Sequence, residues 1–70
     1  MKLQINDSGS WRNMVSFDND KSFRIREAAS QLMAFQSSKK AKLRIVNGDD
    51  RVLEYCEYSA EDDCFLWRAA

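Results

Sequence analysis

The sequence predicts a two-layer α+β domain, ββαβββ, with one helix packed on one face of a mostly antiparallel sheet. Three observations lead there. Alternating apolar and polar residues, broken by clusters of turn formers, occupy residues 1–17 and 41–68. One stretch between them, from about Lys21 to Gln36, repeats its apolar residues at helical spacing. No Pro and only two Gly interrupt these segments.

The first strand, Met1–Ile5, places Leu3 and Ile5 on one face. Asn6-Asp7-Ser8-Gly9-Ser10 reads as a turn. In the second strand, Trp11–Phe17, Trp11, Val15 and Phe17 fall on one side, with Arg12, Met14 and Ser16 on the other. Asp18-Asn19-Asp20 supplies candidate N-caps for the helix. Ile25, Ala28, Ala29, Leu32, Met33 and Phe35 form its apolar side, opposed by Arg24, Arg26, Glu27, Ser30 and Gln31. Phe23 falls on the polar side, either folded back on the sheet from a frayed first turn or exposed. Ser37-Ser38-Lys39-Lys40 ends the helix, and three strands follow: Ala41–Val46, Arg51–Tyr58 and Cys64–Arg68.

Matching faces sets an expected register. A three-residue loop, Gly48-Asp49-Asp50, pairs Ile45 with Leu53, Leu43 with Tyr55 and Arg44 with Glu54. A second, Ser59-Ala60-Glu61, pairs Tyr55 with Phe65 and Leu53 with Trp67, and makes Cys56 and Cys64 cross-strand neighbours. The expected core face is Leu43, Ile45, Leu53, Tyr55, Phe65 and Trp67. One helix covers one face only. The other is expected to show Lys42, Arg44, Val46, Val52, Glu54, Cys56, Tyr58, Cys64, Leu66 and Arg68, joined by Arg12 and Met14.

Seventy residues make a single small domain, 1–70, whose start at Met1 reads as that of a complete reading frame. No apolar run reaches the roughly 18–20 residues of a membrane span, and the N-terminus lacks a signal-peptide apolar region. The expected compartment is the cytoplasm, where Cys56 and Cys64 stay reduced. Eleven basic and eleven acidic residues cancel, which argues against a general nucleic-acid binder. The cancellation hides a split. Residues 1–46 hold nine basic against four acidic side chains, and residues 47–70 hold two against seven.

Catalysis has little to work with. The chain has no His, the commonest general base, and no Ser or Cys at a spacing that provides an activator. Two thiols without His fall short of a zinc site, so neither metal nor cofactor is expected. The pairs Asp18/Asp20, Asp49/Asp50 and Asp62/Asp63 sit at turns, where Asp bonds its own backbone, and none has an EF-hand pattern.

Two surfaces remain. The acidic run Glu54, Glu57, Glu61, Asp62 and Asp63, with Tyr58, Leu66 and Arg68, is the candidate protein-binding site, able to imitate phosphates in another protein's basic groove. The basic segment Lys39, Lys40, Lys42 and Arg44 is the alternative, a nucleic-acid contact. A homodimer anchored by Met14, Tyr58, Leu66 and Arg68 is a third reading. In size and texture the chain resembles the small stand-alone accessory proteins of phages and mobile elements, with no residue-level correspondence. That resemblance implies a non-enzymatic protein-interaction module that binds and modulates a host protein complex.

Overall fold

The computed structural model describes residues 1–7, 9–36 and 40–70. Strands β1 (Lys2–Asn6) and β2 (Trp11–Ser16) precede a short 3₁₀ turn (Asn19–Lys21) and helix α1 (Ser22–Ala34). Strands β3 (Lys42–Val46), β4 (Val52–Ser59) and β5 (Cys64–Ala69) complete the ββαβββ order. All strands join one antiparallel sheet in the order β2-β1-β3-β4-β5. The N-terminal strand is thus flanked on both sides. Its start is fixed by the Met1 amino group, which donates to the Phe17 carbonyl at 3.0 Å, while Phe17 N–H donates back to Met1 at 2.9 Å.

Each turn follows from its residues. Gly9 turns the first hairpin at φ +97°, a conformation open to a residue without Cβ, and its N–H donates to Asn6 Oδ1 at 2.9 Å. In the second, Asn47 Oδ1 accepts from the N–H groups of Asp49 (2.9 Å) and Arg51 (3.0 Å), with Asp50 at φ 60°. Four residues separate β4 and β5, closed by Asp63 at φ 50°. At the helix C-terminus the Gln36 amide clamps the Ala41 backbone, Oε1 accepting from its N–H (3.1 Å) and Nε2 donating to its carbonyl (3.4 Å).

The pairing departs from expectation at three places. The three-residue loop 48–50 forms, with Asn47 N–H donating to the Arg51 carbonyl and Val46 opposite Val52. A β-bulge at Leu53 then shifts the pairing by one, so Ile45 faces Glu54, Arg44 faces Tyr55 and Leu43 faces Cys56. The β4–β5 turn uses four residues rather than three. Tyr58 therefore faces Phe65, Cys56 faces Trp67 and Ser59 faces Cys64. A second bulge, at Met14, puts Val15 opposite Leu3 and Trp11 opposite Asn6, so Trp11 and Val15 lie on opposite faces of the sheet.

These shifts exchange several side chains between faces. The helix-side core is Leu3, Ala29, Met33, Leu43, Ile45, Cys56 and Phe65, with Ile5, Phe17, Ile25, Leu53, Tyr58 and Trp67 packed against it. Glu54, Cys56 and Tyr58, expected on the open face, belong to the helix side, and Tyr55, expected in the core, belongs to the open face. Glu54 is tolerated there because α1 supplies its partner. Arg26 Nε donates to Glu54 Oε2 at 2.6 Å, and Nη2 pairs with the same oxygen. The Arg26 carbonyl also accepts from Trp67 Nε1 at 2.9 Å, which ties the helix to β5.

The helix is narrower in its buried face than its pattern suggested. Ala29 and Met33 are buried, but Leu32 is 54 % and Phe35 86 % exposed. Phe23 is exposed as well. The residue before the helix is Lys21, with no side-chain cap, because Asn19 and Asp20, expected as N-caps, join Lys21 in the 3₁₀ turn and Asp18 precedes that turn without a side-chain capping bond.

The Arg26–Glu54 pair is 33 % and 22 % exposed, between the surface and buried limits. Glu54→Gln should therefore lower stability by about 1–2 kcal/mol in a urea melt, while Glu27→Gln on the exposed helix side should stay within about 0.5 kcal/mol. Equal effects would assign the pair no structural weight.

Candidate binding surface

The uncovered face of the sheet is built from alternate residues of all five strands. One continuous cross-strand row runs Asn13 (β2), Gln4 (β1), Arg44 (β3), Tyr55 (β4) and Arg68 (β5). On one side of it lie Trp11, Asn6, Lys42, Glu57 and Leu66, and on the other Ser16, Lys2, Val46 and Val52.

The row is joined by hydrogen bonds. Arg44 Nε donates to Gln4 Oε1 at 2.7 Å, and Gln4 Nε2 donates to Asn13 Oδ1 at 2.8 Å. The Arg44 guanidinium also packs on the Trp11 ring, 4.2 Å from its centroid, a contact worth about 0.5–2 kcal/mol. Trp11 springs from the edge strand, three strand spacings or about 14 Å from β4. Its ring centroid is nevertheless 6.2 Å from that of Tyr55. The indole must therefore lie along the sheet rather than stand away from it. Both rings are half-buried, so each keeps part of its surface open.

The charge of this face is one-sided. Lys2, Lys42, Arg44 and Arg68 stand against the single carboxylate of Glu57 among the described residues. Lys2 pairs with Asp50 at 3.4 Å, but Lys42, Arg44 and Arg68 enter no ion pair among the described residues. The other carboxylates are elsewhere. Asp7 pairs with Arg12, Glu54 is on the helix side, and the rest of the C-terminal acidic run lies in the β4–β5 turn. The open face thus carries a local surplus of positive charge although the chain as a whole is neutral, while much of the acidic share lies at turns.

The residues singled out from sequence divide accordingly. Lys42, Arg44, Glu57, Leu66 and Arg68 come together on the open face. Glu54 and Tyr58 are on the far side and share no surface with them. Glu61 is exposed in the turn. Asp62 Oδ2 accepts from Ser59 Oγ (3.1 Å), and Asp63 Oδ1 accepts from Tyr58 OH (2.5 Å). Two carboxylates of the expected phosphate mimic are therefore engaged in holding their own turn. Lys40 is exposed ahead of β3, and Lys39 lies outside the described residues. Sequence reasoning missed Gln4, Trp11, Asn13 and Tyr55. The two bulges that put Trp11 and Tyr55 on this face leave no mark in a period-two pattern.

The cysteines are not neighbours. Cys56 and Cys64 are offset by three residues across the β4–β5 ladder, about 10 Å along the strands and beyond disulfide reach. Cys56 is fully buried, and burial followed by the nearby Glu57 carboxylate pushes its thiol from 9.0 up to about 11. Cys64 is exposed. Among the described residues, no group of three or more His, Cys, Asp or Glu side chains is placed to hold a metal ion. No helix there is long and apolar enough to cross a membrane.

Comparison with known protein families, characterised proteins and solved structures finds no match for this chain.

Two thiol measurements follow. One equivalent, Cys64, should react with a disulfide reagent in the native protein, and Cys56 only after denaturation; two fast equivalents would contradict its burial. The raised Cys56 pKa also sets a sign. Between about pH 9 and 11 the unfolded chain releases this proton and the folded one retains it, so stability should fall as pH rises through that window. The fall should be smaller in Cys56→Ala, read as a urea midpoint against pH.

Proposed function

We propose that the protein is a small non-enzymatic binding module of the cytoplasm that holds its partner on the open face of its sheet. The observation that carries this reading is the cross-strand row from Asn13 to Arg68, with Trp11 laid over it. Its long side chains are already bonded to one another, so less side-chain entropy is lost when a partner docks. Lys42, Arg44 and Arg68 enter no ion pair among the described residues, and their charge is available to steer and orient a partner. The lack of His supports a role without acid–base chemistry. Small size suits an accessory protein that attaches to a larger host assembly.

The open face and the acidic turn make different predictions. Charge reversal of the face, Lys42→Glu with Arg68→Glu, should abolish capture of the partner from host extract. Reversal of the turn at Glu61 should leave capture intact. Retention by the face variant, with loss by the turn variant, would move the site to the turn.

A further inference from the structure

We infer that the ligand of the open face is a short run of single-stranded nucleic acid; this rests on the binding-face reading above and adds the chemistry of the partner. Three physical features converge on it.

The first is charge. Lys42, Arg44 and Arg68 outnumber Glu57, and none of the three enters an ion pair among the described residues, Arg44 being held by the neutral Gln4 and Trp11 side chains. This surplus favours an anionic ligand. A second copy of this chain is a poor occupant, because a two-fold interface here sets the same unpaired cations against each other.

The second is the pair of rings. Trp11 and Tyr55 sit together over the middle of the sheet with centroids 6.2 Å apart, and both keep exposed surface. Aromatic side chains on a sheet, flanked by cations, form a platform on which bases stack while the backbone meets positive charge. Gln4, bonded at both amide ends to Arg44 and Asn13, fixes Asn13 at an exposed position of the same row, where its amide nitrogen can donate to a base edge. An acidic peptide would satisfy the cations but makes no particular use of two ring faces.

The third is shape. Double-stranded DNA is read by a helix or ribbon that enters a groove. This face is the surface of a five-stranded sheet about 19 Å across, formed of short side-by-side strands with no helix upon it. That favours a splayed single strand, with room for about two or three bases. The neutral net charge of the chain is no obstacle, since among the described residues Glu57 is the one carboxylate on this face and the others lie at turns, at exposed helix positions or on the helix side.

The test is a titration of the whole chain into labelled oligothymidylate and oligouridylate of about ten nucleotides, read by fluorescence anisotropy. A duplex of equal length and polyglutamate serve as competitors. Single strands should bind at least about tenfold more tightly than either competitor, with a log–log salt slope of about −2 for three neutralised phosphates. Tyr55→Leu, which keeps the apolar volume but removes the ring, should weaken binding about tenfold. Arg68→Ser, at an exposed position that does not support the core, should weaken it and flatten the salt slope by about one unit. Glu61→Gln should change neither. No complex with either single strand at low salt, or equal affinity for duplex or polyglutamate, overturns the inference. If single strands fail while capture from host extract still depends on Lys42 and Arg68, the partner is an acidic protein and only the nucleic-acid assignment falls. If capture is also indifferent to those residues, the binding-face reading falls with it.

Discussion

A helix about 10 Å in diameter lies on a sheet about 19 Å wide, and most features of this protein follow from that mismatch. The helix must choose a half. It takes the β4–β5 side, packing chiefly against β5 and bonding to both strands through Arg26. The flank of the helix that points away from this contact keeps Leu32 and Phe35 in solvent, and Val15 on β2 stays partly uncovered for the same reason. The far face of the sheet receives no second layer. It closes over itself instead, with Trp11 folded flat and Val46 sheltered to 1 % exposure without belonging to the helix-side core.

The order of elements was legible because it depends on periodicity and turn chemistry, both local. The helix and the Asn47–Asp50 turn, with its three-residue loop, appear where alternation and Asn/Gly/Asp placement put them. The faces of β4 were not legible. They depend on one extra residue at Leu53, and a single insertion inverts every side chain beyond it. Glu54 illustrates how the error propagates. A carboxylate is normally assigned to solvent, which carried Tyr55 into the core with it. The structure reverses both because Arg26, read as part of the helix's polar side, turns inward and neutralises Glu54.

The candidate site was half visible for the same reason. Lys42, Arg44, Leu66 and Arg68 lie on strands whose parity was read correctly, so they were placed on the open face. Trp11 and Tyr55 sit beyond bulges and were placed on the opposite side. Without the two rings, the basic residues of β3 and β5 are only an outward strand face. Only when rings and cations share one surface does a chemical preference emerge from either.

The position of β1 has a consequence for how the chain assembles. Every strand pairing but one joins sequence neighbours: β1 with β2, β3 with β4, and β4 with β5. The exception is the β1–β3 seam, which bridges roughly forty residues and must wait for the slowest loop to close. A two-stranded hairpin and a three-stranded meander therefore meet along this seam, and the helix that follows the hairpin packs on the meander, held there by Arg26 through Glu54 and Trp67. The molecule is two locally paired pieces joined twice, once along the β1–β3 seam and once by a helix that belongs to the first piece in sequence and to the second in packing.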